Sequence, residues 1–232
     1  MNLIYSYLED FFSLIFPEIC CACHTNLFKN EQLICTGCLY DLPYTNFHLD
    51  PENVAARQLY GRIPFLAVSA CLDFRKGSKV QNLMHEFKYN SKPEIGIKLG
   101  ELYGNSLKEV NAFKNADLII PVPLHPAKFK KRGYNQSDCF AKGLSTALGI
   151  PYSTNLLQRN LNTATQTQKS RFARYENMKH VFSVKEPLQI EHKHIILVDD
   201  VLTTGATIEA CALELLKASG VKLSIATIAY AN

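Results

Sequence analysis

The sequence lacks any apolar run long enough to cross a bilayer. Its most apolar stretch at either end, MNLIYSYLEDFFSLIF, is broken by Glu9 and Asp10 and is shorter than the roughly 20 apolar residues a span requires. A basic leader region and a small-residue cleavage site are also missing, so the expectation is a cytoplasmic chain whose first sixteen residues form an amphipathic helix packed on the rest. There is no internal repeat and no low-complexity tract. A strong excess of one charge is absent as well: the formal charge of +4 does not by itself argue for nucleic acid.

A cytoplasmic chain also lacks the oxidising surroundings that disulfides need, so its 8 cysteines point to metal. Five of them lie between residues 20 and 38. Cys20-x2-Cys23 is followed, after eleven residues, by Cys35-x2-Cys38. Two such pairs can close a tetrahedral Zn2+ site with no open position, which is structural rather than catalytic. Cys21 and His24 are rival ligands by position. A ribbon this small has almost no core, so the metal would supply its folding free energy.

At 232 residues and 47% hydrophobic, the chain fits one domain of ordinary size with a small appendage. The expected division is 1–62 for the N-terminal helix, the ribbon and a linker, and 63–232 for the main domain. Residues 44–62, with Pro51, Asn53 and Gly61 among polar neighbours, read as the linker. A strand is predicted from Ile63, then helices around 80–87 and 93–110. Lys88, at the end of the first helix, is either a solvated cation or a ligand.

A strand from Asp117 ends at prolines and leads into Lys128-Phe-Lys130-Lys131-Arg132-Gly133-Tyr134-Asn135-Gln136. Four cations in five residues, set between a strand end and a helix of 137–148, read as a basic loop suited to a diphosphate. A solvated loop, or a phosphate-backbone contact to DNA with Phe129 and Tyr134 stacking, are the other readings. Leu156 to Asn177 is polar, carries Arg and Lys, and has no apolar periodicity. It reads as a mobile lid over a polyanion or as plain disorder.

His194 to Thr207, HIILVDDVLTTGAT, is the stretch everything else serves. Ile195–Val198 suits a strand buried on both faces of a parallel sheet. Thr203, Thr204, Gly205, Ala206 and Thr207 then offer backbone N–H groups and hydroxyls at a helix start, which is a phosphate cradle. Asp199 and Asp200 would repel a phosphate, so they more naturally accept hydrogen bonds from vicinal hydroxyls beside a divalent cation. Phosphate plus a diol means a ribose 5-phosphate. A helix of 208–217 and a strand of 221–230 complete the chain.

This stretch resembles the phosphoribosyl diphosphate (PRPP) signature of type I phosphoribosyltransferases. Together with the cysteine ribbon, PVPL…KKRGYNQ and LQRNLNTATQTQKSRFARYENMKHVF, including Gln166, Arg171, Arg174 and Asn177, it resembles the ComF family of that superfamily. The resemblance implies an α/β fold of the type I phosphoribosyltransferase kind: a mostly parallel sheet of four to five strands flanked by helices, with a small N-terminal zinc ribbon and helical hood. It implies PRPP with Mg2+ as ligand, its ribose hydroxyls on Asp199 and Asp200 and its 5-phosphate on the 203–207 loop; Lys88 and Lys130 are candidate ligand-binding cations from their own positions in the chain. Asp199, Asp200, Lys131 and Arg132 would stabilise charge during transfer to an unidentified acceptor. DNA uptake in natural competence, single-stranded DNA and a helicase partner are also implied. The alternative is a non-catalytic PRPP- or nucleotide-binding module.

Overall fold

The computed structural model describes residues 16–160 and 181–231. The expected N-terminal helix and most of the expected lid, including Gln166, Arg171, Arg174 and Asn177, lie outside the described residues. Among the described residues no helix is long and apolar enough to cross a membrane.

Four strands form one sheet: β1 (Ala67–Asp73), β2 (Leu118–Pro121), β5 (His194–Leu202) and β6 (Lys222–Tyr230), in the order β1-β6-β5-β2. All three pairings are parallel. Such strands carry side chains into a core on both faces, which is why Ile195, Ile196, Leu197 and Val198 are all fully buried. Successive residues of β5 alternate between the two cores: Ile196 and Val198 face one, Ile195 and Leu197 the other. The strand outlasts its apolar run. Asp199 and Leu202 still pair with Thr227 and Tyr230 of β6, so the acidic pair is fixed in the ladder.

The first core holds α3 (Lys79–Tyr89), α4 (Glu94–Leu107) and α7 (Gln136–Leu148), together with the buried face of the cysteine ribbon. Helices α4 and α7 touch backbone to backbone, since a Cβ at Gly143 would lie 2.1 Å from the Ile97 carbonyl. The second core holds α2 (Val54–Leu59) and α8 (Ala206–Leu215). Short helices α1 (Thr36–Asp41) and α5 (Asn111–Lys114) complete this part of the chain.

Three sequence readings need correction. Residues 44–62 are not a linker: they contain α2, and Ala55, Ala56 and Leu59 are fully buried. Asn53 explains the order, because its side-chain amide donates to the carbonyls of Asp50 (2.7 Å) and Val68 (2.8 Å) while its oxygen caps α2 at Ala56 N–H (3.0 Å). The basic loop is a helix, α6 (Pro126–Arg132). Proline stands in its first turn, His125 Nδ1 accepts from Ala127 N–H at 3.2 Å, three cations favour its last turn, and Gly133 closes it at φ 81°. Finally, the polar segment from Leu156 opens with strand β3 (Leu157–Arg159), paired antiparallel with β4 (Phe182–Val184).

Candidate functional site

A cavity of about 170 Å³ opens where β2 and β5 end. Two carboxylates, Asp199 and Asp200, and four cations, Lys88, Lys128, Arg132 and Arg159, line it with Thr207. Helix α3 delivers Lys88, whose Nζ lies 2.7 Å from Asp200 Oδ2. Asp199 Oδ1 accepts from Ser137 Oγ–H at 3.0 Å and from the Asp200 N–H at 2.8 Å. Burial, reinforced by the neighbouring Asp200 charge, pushes the Asp199 carboxyl up to about 7.

Helical spacing sorts the basic segment. Lys128 and Arg132 are four residues apart, hence on one face of α6, and both line the cavity; Lys130 and Lys131 do not. Lys131 Nζ instead stands 5.8 Å from the Tyr89 ring centroid, and the Arg132 guanidinium lies 5.5 Å from the same ring. Arg132 also donates to Gln136 Oε1 at 2.7 Å. Gln136 is only 1% exposed, lines the cavity, and leaves its Nε2 with no partner among the described residues. A buried donor in that condition is available to a water or to an oxygen-bearing ligand in the cavity.

The hydroxyl loop is braced from behind. Gln58 Nε2 donates to the Thr203 carbonyl, and Arg62 Nη1 donates to the carbonyls of Thr204 (2.8 Å) and Gln58 (3.1 Å). The other edge of the Arg62 guanidinium pairs with Glu209 of α8 at 2.5 Å. Tying these carbonyls back frees the N–H side of the loop, where Thr203, Thr204, Ala206 and Thr207 are exposed. Gly205 (φ 75°) is buried against α2, and a Cβ there would lie 2.7 Å from Leu59 Cδ2. Sequence reasoning passed over Gln58 and Arg62 because they stand 145 and 142 residues from their partners. It also passed over Arg159, which β3 carries into the cavity with its guanidinium 5.2 Å from the Phe182 ring centroid. The one cue was a cation ending a short apolar run.

The second cluster is the ribbon. The thiols of Cys20, Cys23, Cys35 and Cys38 all lie within 4.8 Å of one another. Ligands of a tetrahedral metal bound at about 2.3 Å stand about 3.8 Å apart, and Cys23 Sγ to Cys35 Sγ measures 3.8 Å. Backbone N–H groups of Ala22 and Cys35 point at Cys20 Sγ (3.4 and 3.3 Å), and that of Cys38 at Cys35 Sγ (3.4 Å), as suits thiolates. Of the rival ligands, Cys21 turns away: its sulfur accepts from Lys92 Nζ at 3.4 Å.

The parallel sheet, its flanking helices and this loop define a protein of the type I phosphoribosyltransferase class, and residues 136–232 match the Phosphoribosyl transferase domain family. Over 202 residues the chain is 30% identical to the DNA utilization protein YhgH of Shigella flexneri, covering 86% of this chain and 84% of that protein. Over 213 residues it is 30% identical to Competence protein F of Haemophilus influenzae, with 88% and 92% covered. Competence protein ComFC of Streptococcus pneumoniae is 33% identical over 115 residues, about half of each chain (50% and 48%). The chain belongs to the ComF family of phosphoribosyltransferase-like proteins.

Proposed function

We propose that the protein binds PRPP and transfers its phosphoribosyl group to an acceptor, within the DNA-uptake machinery of natural competence. The observation that carries this is the convergence in one cavity of the acidic pair, Thr207 and four cations. The ribose hydroxyls donate to Asp199 and Asp200. The 5-phosphate is held on the N–H groups and hydroxyls of residues 203–207. The diphosphate lies toward Lys128, Arg132, Arg159 and Lys88, a set that replaces Lys130 and Lys131 in that role because those two do not line the cavity. Mg2+ would supply charge neutralisation on the diphosphate, and the paired carboxylates suit it as oxygen donors.

Displacement at ribose C1 passes through a state with positive charge on the sugar. Catalysis is then mainly electrostatic: Asp199 and Asp200 face that positive charge, and the cations take up negative charge on the departing diphosphate. The four thiols hold Zn2+ as a structural centre. We place the ribbon's boundary near residue 43, since residues 44–62 pack into the main domain, and the protein in the cytoplasm, with a helicase of the uptake machinery as partner. The outward cations Lys130 and Lys131, beside the half-exposed Phe129, suit single-stranded DNA.

The deciding experiment measures PRPP binding by calorimetry and diphosphate release with a panel of bases, amines and ammonia in the presence of Mg2+. Binding with release supports transfer. Binding without release throughout the panel makes the protein a non-catalytic PRPP module, and absence of binding overturns the reading. Steeply salt-dependent single-stranded DNA binding, reduced when Lys130 and Lys131 are neutralised, tests the DNA contact.

A further inference from the structure

A second cavity, of about 620 Å³, lies at the ends of β1 and β6 and shares no lining residue with the cavity at β2 and β5. Four aromatic side chains line it, Tyr44, Phe47, Phe74 and Tyr230, together with Asp73 and Arg75. Its occupant is therefore no party to chemistry at a ribose held by Asp199 and Asp200.

The shape of the aromatic wall decides between ligand types. Phe47 and Tyr230 meet with their planes 69° apart and their centroids 5.8 Å apart, so the two rings form a corner and not a parallel slot. A corner gives a flat ligand one face to stack on, whereas a compact cation is attracted by every ring face within about 6 Å of it.

The carboxylate sets the sign. Asp73 Oδ2 accepts from Arg75 Nε at 2.8 Å, and Asp73 Oδ1 has no partner among the described residues. The Arg75 side chain is 80% exposed, and so exposed a pair contributes little and is readily exchanged. An incoming anion would meet Asp73 and the negative ring faces, with only Arg75 to attract it. An incoming cation is attracted by rings and carboxylate together, and it displaces only a side chain already in water.

The corner is also held in place, so little ordering opposes binding. The Tyr44 hydroxyl donates to the Leu39 carbonyl at 2.8 Å. Backbone bonds tie the surrounding pieces: Asp73 N–H to the Pro43 carbonyl (2.9 Å), Phe74 N–H to the Tyr230 carbonyl (2.7 Å), and Thr45 N–H to the Cys71 carbonyl (3.1 Å).

We infer that the aromatic cavity at the ends of β1 and β6 is a binding site for a protonated alkylamine, whose ammonium lies in the Phe47–Tyr230 corner and donates to Asp73 Oδ1. The alkyl stem is left to Pro43 and Val54, the aliphatic residues of the lining. A free amine and a lysine of a partner chain present the same group. The site stands whether or not the protein transfers a phosphoribosyl group.

The test is an NMR titration of the full chain with n-butylammonium, with butan-1-ol as its neutral isostere, and with the capped peptide acetyl-Gly-Lys-Gly-amide. n-Butylammonium should bind about tenfold more tightly than butan-1-ol, a comparison made in wild type that no folding defect disturbs. Binding should weaken roughly fivefold in Tyr44→Leu and in Asp73→Asn, each checked for an unchanged unfolding midpoint, and should persist in Asp199→Asn/Asp200→Asn. Tighter binding of the peptide would assign the ammonium to a partner's lysine, and tighter binding of n-butylammonium to a free amine; both support the site. No binding of either cation, or equal binding of butan-1-ol, would overturn it. So would binding that is lost with Asp199 and Asp200 but indifferent to Asp73, because the cation would then sit in the other cavity.

Discussion

Lys88 Nζ and Asp200 Oδ2 stand 2.7 Å apart, each side chain about one-fifth exposed (21% for both). The pair joins the end of α3 to the end of β5 and gives one of two adjacent carboxylates a counter-charge. Lys88→Met is therefore expected to weaken PRPP binding about tenfold and to lower stability by about 1 kcal/mol, the scale of a partly screened pair. A double-mutant cycle with Asp200→Asn should return a coupling of about 0.5–1 kcal/mol in the ligand-free protein. A coupling of zero would mean that the contact is incidental.

Replacing Asp199 and Asp200 together by Asn should abolish the rise in unfolding midpoint that PRPP produces while leaving the fold intact. Circular dichroism checks the fold and a thermal scan with ligand checks the rest. Undiminished PRPP stabilisation would remove the ribose role from the pair.

The raised Asp199 carboxyl sets a pH dependence. Its folded value of about 7 lies above the ordinary aspartate value of 3.8, so the folded chain holds this proton more tightly than the unfolded one. Its contribution to stability is fully present below about pH 4 and is lost as pH rises through about 7. Ligand binding runs the other way, because hydroxyl donors and a cation favour the ionised carboxylate. PRPP affinity should rise by up to tenfold per pH unit until about pH 7 and then level off. Calorimetry from pH 5 to 8 reads the slope, and a flat profile would show that the ionised form is not required.

Arg62→Ala should leave the loop's carbonyls untied. The expected signature is a PRPP affinity at least tenfold lower with a fall in ligand-free stability of only about 1 kcal/mol, since the Glu209 pair is about one-third exposed. Arg62→Lys should recover little, because an ammonium cannot serve Thr204, Gln58 and Glu209 from one plane. Equal losses of stability and of binding free energy in both variants would indicate a merely structural brace.

Purified protein should contain one zinc per chain by elemental analysis. A chelator, or Cys35→Ser, should lower the unfolding midpoint and loosen the ribbon from α3 and α4, whose core it shares. A metal-free chain of unchanged stability would refute the tetrathiolate centre.

What the sequence made legible was local. Consecutive apolar residues marked β5, the Asp-Asp and Thr-Thr-Gly order marked the loop, and paired cysteines marked the ribbon, because each of these signals lies within a few adjacent residues. What it hid was long-range or cap-dependent. The hold of Gln58 and Arg62 on the loop depends on α2 meeting residues far along the chain. The ordering of residues 44–62 depends on one buried asparagine reading three carbonyls in different segments, Phe47, Asp50 and Val68. The basic segment looked like a loop because its charges carry no apolar face; its helix is made by Pro126, the His125 cap and the terminal Gly133. Arg159 was hidden because its strand is three residues long and its partner strand begins 23 residues later.

Helix α6 also makes its four cations separable. Because Lys128 and Arg132 face the cavity and Lys130 and Lys131 do not, one short rod would, in the proposed function, serve two electrostatic clients: a small anion seated at close range and the wider field met by an approaching polymer. Selection or design can retune the outward pair, and with it long-range attraction and salt sensitivity, without altering the inward contacts. A flexible loop with the same composition would offer no such independence.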